Sequence, residues 1–167
     1  MTPEFAERQT RRHCSDCEPL WAMLDEVHDP EIPTLTIYDL GILQDIRESD
    51  EAVDVDIILT YSGCPAIDLI KENIEKALRA GGIQKAINIK TCLSPAWSTD
   101  MLSPKGIEQL KANQIAPPDD HPGSEAIECP NCGAETVELI SQFGSTSCKA
   151  LYRCSSCQEP FDYFKPF

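Results

Sequence analysis

The sequence is poor in positive charge: 14 Lys and Arg stand against 28 Asp and Glu, a formal net charge of −14. The deficit holds on both sides of residue 120. Nucleic-acid binding depends on neutralising phosphates with Lys and Arg, and without a basic stripe nucleic acid is excluded as a partner. No apolar run approaches the ~20 residues that a membrane span needs, so no membrane role is expected. The opening stretch MTPEFAERQTRRHCSDC has no apolar core of a secretory signal, which leads us to expect a cytoplasmic protein. There is no Gly-rich phosphate loop, no GxSxG and no HExxH. The three histidines, His13, His28 and His121, lie in polar or loop contexts. None is recognisably paired with a cysteine as its base, which argues against a cysteine-nucleophile enzyme.

What the chain does have is nine cysteines and 41% hydrophobic residues, enough for a core. In a reducing compartment that many thiols point to metal binding or thiol chemistry and not to a disulfide framework. The first to stand out is Cys64, in DIILTYSGCPAIDLIKENIEKAL. Before it, Val53, Val55, Ile57, Ile58 and Leu59 alternate and then become continuous, as in a strand entering a core. After it, Ile67, Ile70, Ile74, Ala77 and Leu78 recur at helical spacing. Pro65 suits a first helical position, which places Cys64 at or beside the N-cap. Unpaired N–H groups there would favour its thiolate, the form that binds soft metals. The competing reading is a small buried apolar residue.

A polar, flexible arm is expected over residues 1–18, a helix around 20–27, and strands around 42–48 and 53–60. The long helix ends at Gly81-Gly82. KAINIKTCL supplies a third strand, and Ser103-Pro104 opens a last helix, with Ser as N-cap. Strand, helix and strand over 53–92 make a βαβ unit with parallel neighbours. Cys64 and Cys92 then lie on one sheet edge, where they could share an ion; Cys92 also fits an ordinary buried position. IAPPDDHPGSEA reads as a linker. The expected organisation is a small α/β (α+β) domain over 19–115, a linker over 116–126 and a β module over 127–167.

That module carries Cys129-x2-Cys132 and Cys154-x2-Cys157, separated by about twenty residues, a strong zinc pattern. A segment this short needs a metal to supply folding energy. Four cysteines can also hold iron. Cys148, six residues before Cys154, is open as core, substitute ligand or free thiol. Cys14 and Cys17 form a lone CxxC in the polar arm, a weak metal signal. Phe161, Tyr163, Phe164 and Phe167 read as the module's small core, with a docking surface as the second reading.

Asp29-Pro30-Glu31, Asp39-Leu40-Gly41, Thr60-Tyr61-Ser62-Gly63-Cys64-Pro65 and Ser94-Pro95-Ala96-Trp97 together resemble the small domain of SufT-type iron-sulfur assembly proteins. The added ribbon, with FGST before CKALYRCSSCQEPFDYFK, makes the chain similar to the phenylacetate-degradation protein D family, the D (or J) component of the phenylacetyl-CoA 1,2-epoxidase system. The resemblance covers residues 19–167; Cys92 and the Cys14–Cys17 arm lie outside its pattern. It implies an accessory maturation factor whose Cys64 handles an iron-sulfur cluster or iron transiently, with Thr60, Asp29, Glu31 and Asp39 on the motif around it. It also implies a zinc ribbon held by Cys129, Cys132, Cys154 and Cys157. The implied partners are the epoxidase proteins, above all the iron-sulfur flavoprotein reductase; a homodimer stays open. The alternatives are a structural or catalytic subunit of the epoxidase complex, and a stand-alone thiol enzyme or redox carrier.

Overall fold

The structure, a computed structural model, describes residues 2–61, 63–118 and 127–166. It divides into two compact units, 1–104 and 105–167. Most of the expected linker, residues 119–126, and the last aromatic, Phe167, lie outside the described residues.

The first unit contains helices α1 (Pro3–Cys14) and α2 (Glu18–Leu24), strands β1 (Leu43–Glu48) and β2 (Ala52–Ile57), helix α3 (Ile67–Ala80), strand β3 (Ala86–Thr91) and one 3-10 turn (Thr99–Met101). The sheet order is β1-β2-β3, with β1 antiparallel and β3 parallel to the central β2. The β1–β2 turn is tight because Ser49 and Ala52 are bonded through Ser49 N–H and the Ala52 carbonyl, at 2.8 Å. Strand β2 alternates as its sequence requires: Val53, Val55 and Ile57 are fully buried, while Asp54 and Asp56 turn to the other face. Helix α3 buries Ile70, Ile74 and Leu78 completely. Each such side chain contributes on the order of 2 kcal/mol of apolar burial. These make up the expected βαβ unit.

Residues 1–18 differ from the expected arm. Most of them form α1, which docks through its arginines. Arg8 is buried, donates from Nη2 to the Tyr38 carbonyl at 2.8 Å, and lies 4.8 Å from the centroid of the Tyr38 ring. Desolvation pulls its pKa down to about 10, so it remains charged at neutral pH. Arg12 lies 4.8 Å from the same ring and makes a bidentate pair with Asp25 at 2.8 and 2.6 Å. Phe5 is the apolar anchor. Apolar periodicity could not reveal this helix, because guanidinium groups stacked on aromatic rings replace aliphatic side chains on its buried face. Cys17 joins the core as the residue before α2, while Cys14 ends α1 and is exposed.

The second unit contains α4 (Pro104–Ala112) and strands β4 (Ile115–Ala116), β5 (Val137–Ser141), β6 (Lys149–Cys154) and β7 (Pro160–Phe164). The sheet order is β4-β7-β6-β5; β4 runs parallel to β7, and the other pairs are antiparallel. The ribbon sheet therefore takes in Ile115 and Ala116, which fall at the end of the expected first domain and the start of the expected linker. Phe161 and Phe164 turn inward, and Tyr163 stands edge-on to Tyr152 at 5.6 Å. The tail aromatics thus serve the module's core. Among the described residues, no helix is long and apolar enough to cross a membrane.

If α1 is an integral part of the first unit, Phe5→Ala lowers its stability by on the order of 3 kcal/mol, the usual cost of emptying a phenylalanine site. Thermal melting should fall, and limited proteolysis should release residues 1–14 first. An unchanged melt would make α1 an accessory to the fold.

Candidate functional site

The four ribbon cysteines come together as their spacing requires. Their Sγ atoms all lie within 4.8 Å of one another, with Cys129–Cys157 at 3.8 Å and Cys132–Cys154 at 3.6 Å. A tetrahedral ion with metal–sulfur bonds of about 2.3 Å puts its thiolates about 3.8 Å apart, so the quartet fits such an ion closely.

The two halves are built alike. After Cys132 the chain turns at Gly133 (φ 75), whose N–H returns to the Cys129 carbonyl at 2.8 Å. After Cys157 it turns at Gln158 (φ 65), whose N–H returns to the Cys154 carbonyl at 3.0 Å. Cys129 N–H then bonds the Ala134 carbonyl, and Cys154 N–H the Glu159 carbonyl. The left-handed position suits glycine in the first knuckle; the second puts a glutamine there at a cost in backbone strain.

These turns aim N–H groups at sulfur. The Cys154 thiol is pulled down to about 6, first by the Cys157 N–H and then by that of Ser156. Cys157 is lowered too, by the Glu159 N–H and the side-chain amide of Asn131 at 3.6 Å. The Ala134 N–H favours a thiolate at Cys132, yet the proton Cys132 shares with Cys154 pushes it up to about 12. The quartet thus holds thiolate charge that a metal cation would neutralise. Asn131 and the backbone donors at 156, 157 and 159 are supporting groups that the Cys-x2-Cys pattern does not name.

Cys148, open above as a substitute ligand, is not among the four clustered sulfurs. It precedes β6, at the end of the strand opposite Cys154, and its Sγ lies 3.0 Å from Thr146 Oγ1. Among the described residues, the ribbon quartet is the cluster of three or more Cys, His or carboxylate groups that could hold a metal.

In the first unit the thiol of interest sits on a tight turn. Cys64 N–H bonds the Tyr61 carbonyl at 3.1 Å, and Cys64 is half-buried. The Tyr61 ring folds over Gly63: a Cβ there would stand 2.8 Å from Tyr61 Cε1, so only glycine admits the ring without displacement. Helix α3 begins later than its sequence suggests. Its N-cap is Ala66, and its first bond runs from Ile70 N–H to the Ala66 carbonyl. Cys64 therefore precedes the helix by most of a turn, because the chain uses 61–64 for a turn of its own before the helix starts. The macrodipole acts within about one turn of a helix end, so Cys64 stands at the margin of its reach.

Among the residues on the motifs that accompany Cys64, Asp29 and Asp39 brace loops. Asp29 accepts the N–H groups of Glu31 and Ile32 at 2.8 and 2.9 Å. It lines a groove of about 400 Å³ against Asn73, Lys76 and Ala77, in the middle of α3 and away from the end that Cys64 approaches. Glu31 is half-buried and Thr60 buried. Asp39 is a buried staple: Oδ2 accepts the Thr36 hydroxyl at 2.9 Å, and Oδ1 accepts the Ser103 hydroxyl at 2.7 Å. Trp97 Nε1 donates to the Leu40 carbonyl nearby, at 2.9 Å. Ser103 does precede α4, with its hydroxyl on Asp39.

Cys92 follows β3 as expected, its N–H on the Ile57 carbonyl at 2.8 Å. Its side chain opens on a cleft of about 400 Å³ with Asp45, Asp56, Glu4 and Glu7 among the lining residues, a cleft Cys64 does not line. The two thiols leave one sheet edge without sharing that cleft.

Comparison with known proteins places both halves. Residues 114–165 match the PaaD zinc beta ribbon domain, and residues 18–90 match the Iron-sulfur cluster assembly protein family. Over 150 residues the chain is 43% identical to an Escherichia coli (strain K12) protein provisionally named as the D component of 1,2-phenylacetyl-CoA epoxidase, covering 87% of this chain and 90% of that one. The chain belongs to the phenylacetate-degradation protein D family. It is also 34% identical over 94 residues to an Fe-S protein maturation auxiliary factor of Porphyromonas gingivalis, covering 56% of this chain and 89% of that protein. Among solved structures, a domain of unknown function, DUF59, from Bacillus anthracis shares the fold, with a TM-score of 0.52 at 22% identity, over 63% of this chain and 95% of that one.

Two substitutions separate these roles. Cys129→Ser should cost the ribbon its bound metal and leave residues after 127 open to protease, while the first unit melts normally. Elemental analysis beside limited proteolysis measures both, and full metal retention would refute the ligand set. Asp39→Ala removes the buried acceptor of the Thr36 and Ser103 hydroxyls, so it should cost about 2 kcal/mol of stability with metal content unchanged.

Proposed function

We propose that this protein is an accessory maturation factor of aerobic phenylacetate catabolism, acting in the cytoplasm. It hands an iron-sulfur cluster, or iron, to the phenylacetyl-CoA 1,2-epoxidase system, with the iron-sulfur flavoprotein reductase as recipient. The observation that carries this reading is Cys64. It is a half-buried thiol on a braced turn, in a chain whose residues 18–90 match an iron-sulfur cluster assembly family. Cys64 binds the cargo and Cys92 stands on the same edge; Thr60, Asp29, Glu31 and Asp39, whose motifs accompany it, shape the loops of the same unit. The ribbon quartet holds zinc, a structural ion that closes all four tetrahedral positions.

The transfer is a ligand exchange. A client thiol loses its proton and bonds a cluster iron; the Cys64–iron bond breaks, and the released Cys64 takes up a proton. No electron moves. One bond per cargo suits a carrier, since the cargo has to leave.

Cys64→Ser tests this. Serine is nearly isosteric but offers a hydroxyl where soft-metal chemistry needs a thiolate. In cells expressing the epoxidase with this variant, the oxygenase subunits should assemble while the reductase emerges poor in its cluster, read by visible absorption and iron content. Reductase reconstituted beforehand should then restore epoxidation in a cell-free assay without this protein. A second reading, a working member of the epoxidase complex, draws on the name of the Escherichia coli relative. A requirement for this protein in the reconstituted assay would decide for that second reading.

A further inference from the structure

The first unit buries or half-buries nearly all its large apolar side chains. Among its described residues the exceptions are Tyr61, Leu69 and Leu93, which are 39%, 44% and 82% exposed. They are scattered in sequence, but the strand topology sends them to one end of the sheet. Because β2 and β3 are parallel, the chain leaves both strands at one edge of the sheet. Tyr61 follows β2, Leu93 follows β3, and Leu69 lies in the first turn of α3, which starts where the β2 exit loop ends. Cys64 sits within that exit loop, and the Tyr61 ring covers the glycine beside it.

The backbone beneath these side chains is held firmly. Ile58 N–H bonds the Ile42 carbonyl at 2.9 Å, Cys92 N–H bonds the Ile57 carbonyl at 2.8 Å, and Trp97 is pinned to Leu40. Exposed leucines on a rigid edge cost solubility unless something covers them. The charge around them says what kind of surface would. Segments 58–70 and 91–103 hold two carboxylates and are bordered by Lys71 and Lys90. The cleft beside Cys92, however, is lined by Glu4, Glu7, Asp45 and Asp56 against one cation, Arg11, within a chain of net charge −14.

We propose that this edge is the client-docking surface. Tyr61, Leu69 and Leu93 receive an apolar segment of the recipient protein, flanked by Lys or Arg that face the acidic surroundings, and so bring the recipient's own thiols to Cys64. This rests on the carrier reading and extends it. The carrier reading needs only the thiol, whereas this surface decides which protein receives the cargo.

The test uses the full-length, metal-replete protein and purified apo-reductase of the same epoxidase system, with binding measured by calorimetry at low and high salt. Leu93→Glu and Leu69→Glu should keep the wild-type melting temperature and the Cys64 cargo, yet bind apo-reductase at least about tenfold more weakly, as loss of an interface anchor does. Wild-type binding should weaken as salt rises, as expected for opposite exposed charges. Phe143→Glu, at a side chain of the second unit that is 64% exposed, should bind normally. Wild-type affinity in both leucine variants would overturn the surface, as would a failure of the wild type to bind apo-reductase. Salt-insensitive binding would overturn the basic partner chemistry. If wild-type protein is a dimer that Leu93→Glu converts to monomer, the occupant is a second copy and the proposal is wrong. The carrier reading fails separately: it falls if Cys64→Ser protein docks and still loads the reductase normally.

Discussion

The parallel pairing of β2 with β3 is the constraint from which the rest of the first unit follows. Parallel neighbours cannot be joined by a hairpin; the chain must cross over, and residues 58–85 make that crossing through α3. The requirement sends Ile57 and Thr91 to the same edge and starts both exit loops side by side. Cys64, Cys92, Tyr61 and Leu93 occupy those loops as a result. Without the parallel register, a thiol between strand and helix and a leucine beyond the next strand would have no reason to share a surface.

A sheet edge built of loops needs bracing, and Asp39 supplies part of it. Asp39 links its own turn, through Thr36, to the far loop, through Ser103. The Trp97 indole adds a second link to Leu40. A buried carboxylate that accepts two hydroxyl protons and feels the Arg8 charge is satisfied by the protein itself. Asp29 accepts two backbone N–H groups. Carboxylates so engaged are better suited to fixing the shape of the loops than to binding a metal.

How much of this could be read in advance depended on whether apolar side chains or other forces carried the information. The βαβ unit was legible because Val53, Val55 and Ile57, then Ile70, Ile74 and Leu78, print their periods in the sequence, and all six are fully buried. The ribbon quartet was legible from spacing, since two Cys-x2-Cys knuckles have little choice but to face each other. Helix α1 was not, because Arg8 and Arg12 dock on Tyr38 by cation–π contact and leave no apolar stripe. The start of α3 was misplaced for a related reason: Pro65 can open a helix or follow a turn, and the Tyr61–Cys64 bond that selects the turn has no signature in residue type. The roles of Asp29 and Asp39 were hidden because an aspartate that staples a loop and one that binds a metal look the same in one dimension.

The two kinds of cysteine in this chain differ in the number of sulfurs gathered around them, and that difference matters chemically. In the ribbon, backbone N–H groups and Asn131 surround four sulfurs that already stand at the separations of a tetrahedral site. An ion there would have to break several bonds at once to leave, and folding of the module would be lost with it. Cys64 belongs to no comparable cluster among the described residues. It is held by its turn but only half covered, so under the proposed carrier role a bond to iron formed there would be exchanged one ligand at a time. Under that proposal this chain would combine a site suited to keeping its metal with one suited to releasing it. Cargo passing through the open site would have to be offered to the right recipient before other thiols compete for it, which is why the exposed Tyr61, Leu69 and Leu93 beside Cys64 are the features on which specificity would turn.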